Sequence, residues 1–126
     1  MSIEIKTPAV HHIALKVSNL ECSRDFYLKT LGFPAVMEFP DLFLFSAGTT
    51  VVGISRAREA GAFNPHRVGL NHIALACTDD AELERVAQAL SNAGVENTGV
   101  KLDETLGKRY VAFKDPDRIA WEFFHV

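Results

Sequence analysis

The sequence predicts an α+β fold of two tandem βαβββ modules whose curved sheets enclose a shared cleft. Three observations lead there. The tetrapeptide His-Ile-Ala-Leu occurs at His12 to Leu15 and again at His72 to Leu75, a repeat offset of 60 positions. Each copy passes through a short polar stretch into a helical pattern that stops at a glycine, Gly32 or Gly94. Three short extended segments then follow each helix.

Each element has a local reason. In the first module the strand from His12 leads to Ser18-Asn19-Leu20-Glu21, a capping box in which the Ser18 hydroxyl and the Glu21 carboxylate satisfy free N–H groups at a helix start. Its strands are expected over Ala35 to Phe39, Leu42 to Ala47 and Val51 to Arg56. In the second module the helix opens at Asp79 with Glu82 three residues on. It carries Leu83, Val86, Ala87 and Leu90 as one apolar stripe. Strands are expected over Gly99 to Asp103, Arg109 to Lys114 and Ile119 to His125. The stretch Glu59 to His66 carries breakers without a period and reads as the linker, so the modules run 8–63 and 64–126 within a single domain. Four strands and a helix bury little alone, so the modules are expected to share one interior.

Composition excludes several function classes. Of 126 residues, 48% are hydrophobic and 23% charged, the balance of a globular chain. Thirteen Lys+Arg against sixteen Asp+Glu give a formal charge of −3, which argues against nucleic acid or an anionic membrane as partner. Cys22 and Cys77 stand alone in sequence, with neither a disulfide framework nor a metal knuckle, and are expected to be reduced core thiols. No targeting segment or membrane span is expected from the sequence, and a cytoplasmic location follows by default.

Strand alternation then assigns faces. Ile13, Leu15 and Val17 should pack on the helix, leaving His12, Ala14 and Lys16 on the other face. The same parity sets His72, Ala74 and Ala76 opposite Ile73 and Leu75, and sets Ala120, Glu122 and Phe124 opposite Trp121. A carboxylate in an apolar strand is costly unless it is paired or holds a metal. Two imidazoles and one carboxylate on three strands form a facial triad suited to divalent Fe, Mn, Ni, Co or Zn, with positions left for water and substrate. The competing reading has both histidines hydrogen-bonded at strand starts and Glu122 bridged to Lys16 or Arg109. His11, His66 and His125 fall on the wrong face or in the linker. Lys16, Arg109 and Tyr110 are the candidates for binding an anionic substrate group, against the alternative of solvated strand ends. Within Phe39 to Phe45, alternate residues are expected to form core and an apolar pocket wall.

The repeated plan, the paired His-Ile-Ala-Leu starts, Phe26-Tyr27 before Leu31-Gly32-Phe33, and Phe113-Lys114-Asp115-Pro116-Asp117 before Trp121-Glu122-Phe123 resemble the vicinal oxygen chelate superfamily. That group includes glyoxalases, fosfomycin-modifying enzymes, extradiol dioxygenases and bleomycin-resistance proteins. The resemblance covers nearly the whole chain. It implies metal ligands at His12, His72 and Glu122, with Glu122 also catalytic, and it implies a homodimer. A fourth ligand of glyoxalase I and methylmalonyl-CoA epimerase would fall at about Gly53, which has no donor, so the resemblance favours a three-ligand member. The family's turn is usually followed by glycine where this chain has Arg118.

Two function classes are therefore expected. One is a metalloenzyme of glyoxalase, fosfomycin-resistance or dioxygenase type, working on a small molecule by lyase, isomerase or thiol/epoxide transferase chemistry. Ring-cleaving dioxygenase chemistry ranks last because no separate acid/base histidine is evident. The other is a metal-free protein that sequesters a small molecule, as bleomycin-resistance proteins do.

Overall fold

Apolar residues at alternate strand positions need a cover, and in each half of the chain one helix supplies it. The computed structural model describes residues 1–126. It divides into two compact units, Met1–Arg58 and Glu59–Val126. The first contains β1 (His12–Val17), α1 (Leu20–Arg24), a π-helical segment (Asp25–Thr30), β2 (Ala35–Glu38), β3 (Leu42–Ala47) and β4 (Thr50–Arg56). The second contains β5 (Ile73–Cys77), α2 (Asp80–Asn92), β6 (Lys101–Asp103), β7 (Lys108–Lys114) and β8 (Ala120–His125). The α+β fold of two βαβββ modules is thus present.

The two sheets have one topology. Strand order is β1-β4-β3-β2 in the first and β5-β8-β7-β6 in the second. The first and last strands of each unit pair in parallel, and the remaining pairs are antiparallel. Register carries the repeat into space. Ala14 lies opposite Gly53 in the first sheet, and Ala74 opposite Glu122 in the second.

In the first unit the buried face holds Val17, Phe43, Phe45, Val52 and Ile54 under Leu20 and Tyr27. Tyr27 stacks on Phe45 with centroids 5.1 Å apart, and Phe33 stacks on the same ring at 4.8 Å. Arg24 fastens the helix to the sheet edge. Its guanidinium lies over Phe43, donates to the Phe39 carbonyl oxygen at 2.7 Å, and pairs with Glu38 at 3.2 Å.

Three details depart from expectation here. The cap is Asn19, whose Oδ1 accepts from the Cys22 N–H at 3.1 Å, so the helix starts one residue later than a Ser18 cap would allow. The helix does not continue as α. Leu31 N–H donates to the Phe26 carbonyl, five residues back, and the widened turn accompanies complete burial of Tyr27. Cys22 is exposed rather than in the core, whereas Cys77 is buried and its thiol donates to the Asp79 carbonyl.

In the second unit Asp79 caps α2 as expected, accepting from the Ala81 N–H at 2.8 Å. Glu82 turns outward to Arg85 rather than back to the cap. The α2 stripe buries Leu83, Ala87 and Leu90 against Ile73, Val111, Phe113 and Trp121 positions of the sheet face. No helix is long and apolar enough to cross a membrane.

The turn before β8 is built around Asp115. Its buried carboxylate accepts from the Asp117 and Ile119 N–H groups at 2.9 and 2.8 Å. Arg118 closes the turn at φ 68°, the left-handed region that glycine fills most cheaply. Arg118→Gly should therefore raise the unfolding free energy by about 0.5–1 kcal/mol, the left-handed penalty less the added chain entropy of glycine. Asp115→Ala should lower it by about 2–4 kcal/mol by stranding both N–H groups. Urea denaturation checks both, and a stabilised Asp115→Ala protein would contradict this view of the turn.

Candidate functional site

Alternation leaves each sheet with a second face that the helix does not cover. In the first unit that face carries His12, Ala14 and Lys16 on β1, all exposed. Cross-strand register adds Val51, Gly53 and Ser55 from β4, then Leu42, Leu44 and Ser46 from β3. Phe43 and Phe45 are core, so β3 divides as its alternation predicts, while Phe39 lies exposed beyond β2. Leu44 leans over Gly53, and a Cβ built on that glycine would meet Leu44 Cδ2 at 3.0 Å. His12 sits at the start of β1, with Nδ1 2.9 Å from Nδ1 of His11.

In the second unit the uncovered face carries Ala74 and Ala76 on β5, Ala120, Glu122 and Phe124 on β8, and Tyr110, Ala112 and Lys114 on β7. Glu122 is flanked by alanine on both sides, Ala74 on β5 and Ala112 on β7. Neither cross-strand neighbour carries a polar atom in its side chain, so the carboxylate finds its side-chain partner elsewhere. The Glu122 side chain is 18% exposed, and the His72 side chain 40%. His72 Nε2 lies 3.5 Å from Glu122 Oε2, and His72 Nδ1 lies 2.6 Å from Asn71 Oδ1.

The structure thus brings two of the three sequence-predicted ligands, His72 and Glu122, together within one unit. His12 belongs to the other unit. No group of three or more His, Cys, Asp or Glu side chains is assembled at metal-holding spacing. Among the substrate-binding candidates, Tyr110 shares the Glu122 face and Lys16 the His12 face. Arg109 is placed differently. It has the parity of Val111 and Phe113, on the helix side, where it pairs with Glu84 at 2.6 Å and Asp80 at 3.3 Å. The hydrogen bond to Glu84, helped by the charge of Asp80, raises its pKa and holds it to α2. His125, on the same side, lies 3.4 Å from Asp80. The partner of Glu122 is thus His72, not Arg109.

The register also locates the departure at Gly53. Gly53 stands opposite Ala14 as Glu122 stands opposite Ala74, so it is the first-unit counterpart of the carboxylate. The sequence model of the Glyoxalase/Bleomycin resistance protein/Dioxygenase superfamily matches residues 9–123. The chain belongs to that superfamily.

Relatives are similar over nearly their whole length. The uncharacterized protein YwkD of Bacillus subtilis (strain 168) is 29% identical over 125 residues, covering 92% of this chain and 95% of YwkD. The uncharacterized protein YqjT of the same organism is 30% identical over 122 residues, covering 90% and 95%. Among solved structures, the glyoxalase family protein from Enterococcus faecalis aligns with a TM-score of 0.78 and 26% identity, covering 93% of this chain and 97% of that one. The Enterococcus faecalis structure agrees with the topology described above.

The placement of Arg109 yields a test. Arg109→Ala should lower the urea midpoint slightly through loss of the α2 ties, and should leave any metal or ligand affinity of the Glu122 face unchanged. A loss of affinity comparable to that of a Glu122 variant would show that Arg109 serves that face after all.

Proposed function

We propose that the protein is a small-molecule metalloenzyme of the glyoxalase, fosfomycin-resistance or dioxygenase type. In it His12, His72 and Glu122 hold one divalent ion of Mn, Fe, Ni, Co or Zn. The observation that supports this reading is the convergence of His72 Nε2 and Glu122 Oε2, 3.5 Å apart on an open face. With Nδ1 engaged by Asn71, Nε2 of neutral His72 has only a lone pair to offer, and an ionised carboxylate is likewise acceptor-only. Two acceptors aimed at one another call for a cation between them. The donor set, imidazole nitrogen with carboxylate oxygen, fits a divalent transition metal, and His12 supplies the same type of atom.

The bound ion would supply Lewis-acid polarisation of two neighbouring substrate oxygens. The rest of the work falls to the chain's own residues. Glu122 has a second carboxylate oxygen, which can accept a proton from the substrate. Ala74 and Ala112 leave the space in which a small molecule sits over that carboxylate. The Tyr110 hydroxyl on the same face, and the Lys16 ammonium on the His12 face, are proposed to bind anionic or polar substrate groups. Gly53 supplies no fourth protein ligand, which supports a three-ligand site with more positions open to substrate. The reaction class is accordingly a lyase or isomerase step beside a carbonyl, or opening of an epoxide by a thiol or water. The family resemblance adds a homodimer.

A second reading has one observation in its favour. Protonated on Nε2, His72 makes a direct ion pair with Glu122 at the same 3.5 Å, with no need of a metal. The protein would then be a binding or drug-sequestering module of the bleomycin-resistance type.

Metal analysis separates the two. Protein stripped with chelator and refilled should hold stoichiometric metal in the parent, and His72→Ala and Glu122→Gln should each lose it. Equal metal content in all three proteins would remove these ligands from the assignment. A metal-free parent that binds a small molecule saturably would establish the second reading.

A further inference from the structure

Each candidate ligand histidine directly follows a residue with a hydrogen-bonding side chain, His11 before His12 and Asn71 before His72. His11 and Asn71 occupy the same repeat position, 60 residues apart, and strand parity sets that position on the face opposite to the histidine that follows. Each places a hydrogen-bonding atom on Nδ1 of the histidine that follows. His11 Nδ1 lies 2.9 Å from His12 Nδ1, and Asn71 Oδ1 lies 2.6 Å from His72 Nδ1. Two unlike side chains reaching the same ring atom at equivalent positions is a shared device.

At Asn71 the direction of the hydrogen bond is determined. Its Nδ2 donates to the Pro65 carbonyl oxygen at 2.9 Å, which fixes the amide orientation and turns Oδ1 toward His72. An amide oxygen only accepts, so Nδ1 of His72 must carry the proton. Neutral imidazole has one N–H, so its Nε2 then carries the lone pair, and that atom faces Glu122. Without Asn71 the ring would be free to place its proton on Nε2, where Glu122 would accept it, and the lone pair would point away. We infer that Asn71 is a positioning residue that holds His72 as the Nδ1–H tautomer and so presents Nε2 to the Glu122 face. The purpose of that lone pair rests on the metal reading above, whereas the tautomer itself does not. His11 is placed to do the same for His12. For Nδ1 of His12 to donate, His11 must present an unprotonated Nδ1, which its own Nε2–H tautomer provides.

The test uses the full-length, metal-free protein labelled with 15N. Long-range 1H–15N correlation spectra of the histidine rings, taken at a pH where the rings are neutral, read the tautomer directly. In the parent, His72 should show a protonated Nδ1 and an unprotonated Nε2. Asn71→Leu should shift His72 toward the Nε2–H tautomer, and Asn71→Asp, which retains an acceptor, should restore the parent pattern. Asn71 is exposed, so both variants should fold, which far-UV circular dichroism checks. If the metal reading also holds, Asn71→Leu should weaken metal binding about 10–100-fold, with Asn71→Asp recovering most of it. An Nε2–H tautomer in the parent, or an Asn71→Leu spectrum identical to it, would overturn the inference. The two failures are separable. Absence of metal binding with an Asn71-dependent tautomer removes the metal reading and supports the positioning role. Metal binding with an Asn71-independent tautomer overturns only the positioning role.

Discussion

Parallel pairing of the first and last strand in each unit is the constraint on which the rest of the structure depends. It fixes His12 beside Val51 and Ala14 beside Gly53 in one sheet, and Ala74 beside Glu122 in the other. A slip of one residue would exchange the two faces of a strand, moving Glu122 into the position of Trp121. The cost of that exchange is large, because Trp121 is 1% exposed and Val111 and Phe113 beside it are also buried. Truncating a buried aromatic of that size typically costs about 3–5 kcal/mol. The hydrophobic face thus holds the register, and the register positions the polar face.

The polar face follows a different rule from the core. Where the core is filled with Phe43, Phe45, Leu83 and Trp121, the face around Glu122 has alanines as its cross-strand neighbours. Small side chains there give little packing energy, and they leave a carboxylate and an imidazole within 3.5 Å with room beside them. The counterpart face of the first unit has Gly53 in the carboxylate position, covered by Leu44, so only one of the two related places retains an acid. The repeat supplies one scaffold twice, and side-chain differences at matched register positions separate the roles of the two copies. The residue before each histidine, His11 or Asn71, then controls which ring nitrogen that histidine offers.

Most of this was legible in the sequence because strand alternation and a repeated tetrapeptide are strong signals. Parity assigned Ile13, Leu15 and Val17 to the helix side, and the burial of Val17 with the exposure of His12, Ala14 and Lys16 follows it. What was not legible depends on single-residue choices. Ser18 and Asn19 are both good caps, and only the backbone selects Asn19. The π-helical segment has an ordinary helical composition, so the i to i−5 bond at Leu31 leaves no trace in the residue types. Arg109 and Tyr110 both read as candidates for an anionic substrate group, yet as adjacent strand residues they alternate across the sheet, and α2 offers Arg109 two carboxylates. The contacts of His11 and Asn71 were missed although a signal existed. Both are hydrogen-bonding residues directly before the repeated histidine.

The central claim is that His72 Nε2 and Glu122 Oε2 are two ligands of one cation. Crystals soaked in Mn or Zn and measured at an energy giving anomalous signal test it most directly. The expected result is a peak bonded to both atoms at about 2.0–2.2 Å, with Asn71 Oδ1 still within hydrogen-bond distance of His72 Nδ1. A map with no such peak at saturating metal, and His72 still paired directly with Glu122, would contradict it.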